Sequence, residues 1–108
     1  MREVFEQFRK QVLNLDSSVT EEPHKLYVAY KATTNFVDVE PQAKRLRLSL
    51  NMRFNEINDP QGMCRDVSNL GRWGNGDVEV GLSSIADLPY VMGLVQQALD
   101  LQLYNGED

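Results

Sequence analysis

The two ends of the chain carry apolar residues every three or four positions, which predicts an amphipathic helix at each end. The repeating residues of the first helix are Val4, Phe5, Phe8, Val12 and Leu15. This helix should end within residues 14–18. The repeating residues of the last helix, which should run to about Tyr104, are Leu88, Val91, Met92, Val95 and Leu99. A second apolar line on the last helix, Leu94, Ala98 and Leu101, implies that a curled sheet or a partner covers it.

Between the helices the period changes to two, which is typical of half-buried β-strands. Residues 45–53 are the clearest strand, because leucines at 46, 48 and 50 alternate with polar residues. Residues 25–31, 35–40 and 76–82 are the other predicted strands. Within 35–40, Phe36, Asp38 and Glu40 should share one face, opposite Asn35, Val37 and Val39. Residues 20–24 are interpreted as a connector, and residues 41–44 as a turn.

Two short signals suggest further helix starts. Asp59 followed by Pro60 favours a helix, because Asp accepts hydrogen bonds from free amides and Pro presets φ at the first helical position. We therefore predict a short helix through Met63, Cys64 and Val67. Ser84 with Asp87 resembles a capping box ahead of the last helix.

The order of elements contains no repeating βα unit, so we predict an α+β fold. It has an antiparallel sheet of about four strands, with the N- and C-terminal helices packed on one face. The other face should be polar and mixed in charge. Its predicted members are Arg45, Arg47, Ser49, Asn51, Asp77 and Glu79, together with Asp38 and Glu40.

The chain length and composition indicate one folded unit. At 108 residues and 42% hydrophobic content, residues 1–108 should form a single α+β domain, with flexible ends near 1–2 and 105–108. No apolar run approaches the roughly 18 residues of a membrane span, and no secretion signal is visible, so we expect a cytoplasmic protein. One Cys and one His exclude an internal disulfide and a structural zinc site. We predict no metal and no cofactor.

The charge is unevenly distributed along the chain. The formal net charge is -5, which lowers the expectation of nonspecific nucleic-acid binding by the whole surface. Residues 59–108 hold two basic and eight acidic side chains, whereas residues 1–58 are nearly balanced. Lys44, Arg45, Arg47 and Arg53 form a basic stretch without an intervening acid.

The arginines and carboxylates of the polar sheet face allow two interpretations. They could bind a zwitterionic or phosphorylated ligand, since Arg suits bidentate contacts. They could also form a cross-strand ladder of opposite charges, which we favour because solvated charged faces are usual for antiparallel sheets. Asp38, Glu40, Asp77 and Glu79 are read as solvated carboxylates. We therefore predict no catalytic residues.

Residues 71–77 combine three glycines with the only tryptophan. The segment precedes a strand and lacks a Lys-Ser/Thr ending, so the phosphate-loop motifs do not apply. Either Trp73 plugs the core, which we favour, or Arg72 and Trp73 are displayed for stacking on a base or partner. Cys64 is interpreted as a core residue and His24 as a surface residue without a role.

Five segments of the chain together resemble a known family. They are residues 35–39, 45–51, 59–60 and 64–67 and, most specifically, the run Gly-Arg-Trp-Gly-Asn-Gly-Asp-Val-Glu-Val at 71–80. The chain is similar, from about Val19 to Leu103, to a small prokaryotic domain of unknown function often labelled "predicted transport protein". The resemblance implies a domain that is often found at the C-terminal end of longer proteins, behind nuclease-like or restriction-associated domains, with no established catalytic residues.

Three functions follow as hypotheses. The first is a non-enzymatic accessory domain that docks on nucleic acid or on a partner protein and positions a nuclease-type activity. Its candidate contacts are Arg45, Arg47, Arg65, Arg72, Trp73, Asn75 and Asp77. The second is a homo-oligomeric or protein-interaction module, with a homodimer formed through Leu94, Ala98 and Leu101. The third is a small-ligand site around Asp38, Arg47, Trp73 and Asp77. We expect no membrane partner.

Overall fold

The structure, a computed structural model, describes residues 1–70 and 76–105. Within these ranges it contains two α-helices and one antiparallel sheet of six strands, in the spatial order β1-β2-β3-β4-β6-β5. The elements are α1 (Arg2–Leu13), β1 (Thr20–Pro23), β2 (Val28–Lys31), β3 (Asn35–Pro41), β4 (Leu46–Leu50), β5 (Arg65–Asp66), β6 (Val78–Leu82) and α2 (Leu88–Asn105). The α+β class is confirmed, whereas the prediction of about four strands is wrong.

The two additional strands, β1 and β5, lie at the two edges of the sheet. β1 was expected to be a connector, because Thr20–Pro23 has no apolar alternation and contains a proline. An edge strand bonds to only one neighbour, so it tolerates proline and charged side chains that a central strand would exclude. β1 pairs with β2 over four residues, and β5 pairs with β6 over two. Both strands form because they pair with a neighbouring strand of the sheet, not because of their own side-chain pattern.

One face of the sheet packs against both helices and forms the core. Leu46, Leu48 and Leu50 of β4 are fully buried there, as predicted. Their register partners on β6, Leu82, Val80 and Val78, are buried beside them. Phe8 of α1 packs edge-on against Tyr30 of β2, with ring centroids 5.9 Å apart. Burial of each such side chain contributes about 1.5 to 3 kcal/mol, so this layer holds the fold together.

Phe36 corrects one detail of the predicted alternation. Strict alternation would place Phe36 on the same face as Asp38, two residues further on, yet Phe36 is fully buried in the hydrophobic core. The register between β2 and β3 shifts here, because Tyr30 pairs with Val37 while Lys31 pairs with Asn35. Phe36 is the extra residue of this β-bulge. A bulge interrupts the strict alternation of faces, which lets Phe36 turn towards the helices.

The short helix predicted after Asp59 is absent, and that segment forms a turn followed by β5. Asp59 does cap backbone amides, since Oδ1 accepts a bond from Met63 N at 3.2 Å and Oδ2 from Cys64 N at 2.8 Å. However, Gly62 takes a left-handed conformation with φ of +66°. A right-handed helix cannot continue through a residue with that angle, so the chain changes direction after a single turn.

The second apolar line of α2 is covered largely from within this chain. Leu94 and Ala98 are buried within this chain, and Leu101 is half-buried against the core. Pro89 is the second residue of the helix, where a missing amide hydrogen costs nothing. The chain's own sheet and α1 therefore cover most of the surface that a partner could have covered.

Candidate functional site

The face of the sheet opposite the helices carries a row of polar side chains that runs across four strands. Asp38, Ser49, Glu79 and Arg65 are successive register partners on β3, β4, β6 and β5. Asp38 is only 2% exposed, Ser49 4% and Glu79 8%. The prediction that Asp38 and Glu79 are solvated carboxylates is therefore wrong, because both lie on inner strands of the sheet, where neighbouring side chains cover them. We call this surface the open sheet face.

Arg47 and Glu40 form a closed ion pair on this face. They are register partners on β4 and β3, and Arg47 Nη2 lies 2.9 Å from Oε1 and 3.1 Å from Oε2 of Glu40. Each side chain is 23% exposed. The predicted cross-strand ladder of opposite charges is confirmed at this position. Since the two charges cancel, Arg47 adds little net positive potential to the surface.

Arg45 and Arg65 share a single carboxylate oxygen. Arg45 Nη2 lies 3.8 Å and Arg65 Nη1 lies 4.0 Å from Oε2 of Glu79. Both distances exceed a normal hydrogen bond, so these are charge contacts without direct bonding. The Arg45 side chain is 40% exposed and that of Arg65 is 66% exposed, whereas Glu79 is buried between them. In this group of three side chains, two guanidinium groups lie beside one carboxylate, and both guanidinium groups are exposed to solvent.

Gly81 makes room for this arrangement. A Cβ at Gly81 would lie 3.0 Å from Nη1 and 3.3 Å from Cδ of Arg45, so the arginine side chain passes directly over the glycine. The register pairs Gly81 with Arg47 and not with Arg45, which places Arg45 on a diagonal across β6. Gln42 Oε1 accepts a hydrogen bond of 2.9 Å from Arg45 Nε, which holds the arginine side chain in this orientation. Arg45 is therefore positioned before any ligand arrives.

The remaining predicted contacts divide into two groups. Arg72, Trp73 and Asn75 lie outside the residues that the structure describes. Asp77 immediately precedes β6 and is half-buried, and its backbone bonds to Met52 and Val67 at 3.1 and 2.9 Å. It lines two surface cavities of about 290 and 270 Å³ at that end of the sheet. Thus the structure brings Arg45, Arg47 and Arg65 together on one face and sets Asp77 at its end.

The thiol of Cys64 is chemically quiet. The residue is half-buried, and burial, followed by the charge and the hydrogen bond of Asp59, raises the pKa of the thiol to about 12. A nucleophilic cysteine needs the opposite environment, which favours the thiolate. His24 stacks on Tyr27, with ring centroids 4.6 Å apart, and its Nε2 lies 2.9 Å from Glu22 Oε1. Both side chains take part in local packing.

Two kinds of feature are absent from the described residues. In residues 1–70 and 76–105, no group of three or more His, Cys, Asp or Glu side chains is placed to hold a metal ion. Over the same ranges, neither helix combines the length and apolar character needed to cross a membrane.

Comparisons with known proteins place the chain in a family. The chain is 38% identical over 99 residues to an "Uncharacterized protein" of Haemophilus influenzae (strain ATCC 51907 / DSM 11121 / KW20 / Rd). That match covers 92% of this chain and 33% of the relative, so the chain spans about a third of the relative's length. No solved structure gave a significant match. The transport label and the nuclease association stay predictions. Residues 1–102 match the model described as "Domain of unknown function (DUF5655)", and the chain belongs to that family.

Proposed function

We propose that this protein is a non-enzymatic accessory domain that binds the phosphate backbone of nucleic acid through Arg45 and Arg65. The observation that supports the proposal is the pair of exposed guanidinium groups held around one buried carboxylate oxygen. Phosphate oxygens can accept from both groups at once, because guanidinium presents several donors in a fixed plane. The quiet thiol of Cys64 and the paired charges of the sheet face are consistent with binding without chemistry.

The charges also set the strength of this binding. The chain carries a net charge of -5, and Arg47 is already neutralised by Glu40. Only about two phosphates can therefore be neutralised, and the affinity should be weak at physiological salt. Weak binding suits a domain that adds to the contacts of a longer protein. The Haemophilus influenzae relative is about three times as long as the matched region, which leaves room for such contacts.

The test is fluorescence anisotropy with labelled nucleic acid at several salt concentrations. The probes are a duplex DNA of about 20 base pairs and single-stranded DNA and RNA of the same length. For the duplex we expect a log-log slope of affinity against salt of about -1.8, since each phosphate contributes about -0.9. The absence of binding to all three probes at low salt would refute the proposal and favour a protein partner for this face.

Variants separate the two arginines from general charge effects. Arg45→Ala with Arg65→Ala should abolish binding, whereas Arg2→Ala with Lys10→Ala removes the same charge from the exposed face of α1 and should leave most binding intact. Arg47→Gln with Glu40→Gln should change affinity little. Glu79→Gln should strengthen binding, because the competing carboxylate is gone. A weaker affinity for folded Glu79→Gln would contradict the proposed geometry.

A further inference from the structure

A second feature of the surface lies on the helical side, away from the three arginines. α2 and the short 3₁₀ turn Phe54–Glu56 enclose a shallow cavity of about 240 Å³. Its lining residues are Met52, Glu56, Gln97, Asp100, Leu101 and Tyr104. Sites for cofactors and drug-sized ligands start at about 300 Å³. The cavity is therefore sized for a single side chain.

The lining combines an apolar floor with two carboxylates. Met52 and Leu101 are part of the core or packed against it, and Tyr104 at the rim is 66% exposed. Glu56 accepts one bond, from Arg53 N at 3.0 Å, and Asp100 accepts one, from Gln96 Nε2 at 2.8 Å. In each bond only one carboxylate oxygen is engaged. No Lys, Arg or His is among the six lining residues.

The two walls of the cavity are held at a fixed separation. Gln97 on α2 accepts a bond of 2.8 Å from Asn58 N and donates one of 2.8 Å to Asn58 O. This paired clamp ties the segment after the 3₁₀ turn to the middle of α2. A site whose walls are already in place loses less conformational entropy when a ligand binds.

We propose that this cavity receives one lysine or arginine side chain from a segment of a partner protein. The aliphatic stem would lie on Met52 and Leu101, since such stems bury well on apolar surface. The charged end would lie between Glu56 and Asp100, beside the ring of Tyr104, which offers a cation–π contact. Nucleic acid is not the occupant, because the carboxylates of Glu56 and Asp100 would repel its phosphates.

The neighbouring side chains limit the proposed site to one cation. A neighbouring cavity of about 290 Å³ shares Met52, Glu56 and Leu101 and also contains Arg53 and Asp77. Because Arg53 already offsets one of the two carboxylates there, a second basic side chain would gain less in that cavity than in the first. The partner segment therefore carries a single anchoring cation at this point, flanked by neutral or apolar residues.

The test uses nuclear magnetic resonance of the full chain labelled with nitrogen-15. The probe is the peptide acetyl-Leu-Arg-Leu-amide, and its control contains citrulline, a neutral isostere, in place of arginine. We expect the arginine peptide to shift the amide signals of Glu56, Leu101 and Tyr104, and the citrulline peptide to bind about fivefold more weakly or worse. Equal binding of the two peptides, or shifts scattered over the surface, would overturn the proposal.

Matched variants identify the carboxylates. Glu56→Gln with Asp100→Asn should weaken the arginine peptide about fivefold, because two ion pairs are lost. Glu3→Gln with Glu6→Gln removes the same charge from α1 and should have no such effect. Tyr104→Leu keeps apolar area but removes the aromatic face, and should weaken binding measurably. Unchanged affinity in the folded Glu56/Asp100 variant would overturn the proposal, while duplex binding by the open sheet face should match that of the Glu3/Glu6 control.

Discussion

Arg9 on α1 donates a hydrogen bond of 2.7 Å from Nε to Oε2 of Glu21 on β1. The hydroxyl of Tyr30 donates to the same oxygen at 2.8 Å. This contact ties the first helix to an edge strand that has few apolar side chains of its own. Burial opposes ionisation of Glu21, but the bonds from Arg9 and Tyr30 and the charge of Arg9 outweigh it, so its pKa is held below the ordinary value.

The lowered pKa of Glu21 predicts a specific loss of stability in acid. A depressed folded-state pKa means that the stabilisation is complete above the unfolded value, near pH 4 to 5, and is lost as pH falls through the folded value. Glu21→Gln should lower the free energy of unfolding by about 1 kcal/mol at pH 7, and by less at pH 3. Urea unfolding at both pH values measures this. An equal loss at both would show that the charge is unimportant, and Glu3→Gln is the control.

Asp59 should be the most sensitive polar position of the turn before β5. It accepts a hydrogen bond from the Tyr90 hydroxyl on α2 as well as bonds from Met63 N and Cys64 N. Asp59→Ala should cost about 2 kcal/mol of unfolding free energy and Tyr90→Phe about 1 kcal/mol. Because the two share one bond, the double variant should cost less than the two single losses combined. Additive losses in denaturant unfolding would contradict a direct coupling.

Two glycines should respond to alanine in opposite directions. Gly76 has φ of +93°, and a Cβ there would lie 2.0 Å from the carbonyl oxygen of Leu50, so Gly76→Ala should destabilise by about 3 kcal/mol or more. Gly93 lies on the exposed side of α2 with nothing within 4 Å of the added atom. Gly93→Ala should therefore stabilise by about 0.5 to 1 kcal/mol. Thermal unfolding distinguishes the two variants. A Gly93→Ala variant with a lower Tm than the unchanged protein would refute the prediction for Gly93.

The thiol of Cys64 should resist alkylation in the folded protein. With a pKa of about 12, its thiolate fraction at pH 8 is about a thousandfold below that of a free cysteine. Because a thiolate of higher pKa is also a stronger nucleophile, the rate of reaction with iodoacetamide should fall by about a hundredfold relative to the chain in urea. Asp59→Asn should speed the reaction, because a negative charge beside the sulfur is removed. Equal rates in the folded and unfolded chain would show that the thiol is accessible and reactive.

Some elements of the fold were predictable because their own residues carry the pattern. α1, α2 and the strand β4 each repeat apolar residues at the period of the element they form, and each was found. β1 and the turn after Asp59 were not predictable in this way. The first depends on pairing with β2, and the second depends on the backbone angle of one glycine, Gly62.

The candidate site shows the same division. That Arg45 and Arg47 would lie on the polar face followed from alternation with the leucines. The pairing of these charges did not follow from the sequence. Arg47 is neutralised by Glu40, whereas Arg45 and Arg65 share Glu79, and Arg65 reaches the face only through β5, a strand of two residues. The cavity beside α2 gave no sequence signal either, since Glu56 and Asp100 are 44 positions apart.

By itself the sequence determined the α+β class, the two amphipathic helices, the apolar face of the sheet and the excess of acid in residues 59–108. These properties are local, since each is set by side-chain period or by composition within one segment. Only the tertiary structure decided which polar residues of the open sheet face are buried, which charges cancel and where a cavity opens. Those properties depend on distances between residues remote along the chain, and packing of the whole domain sets such distances.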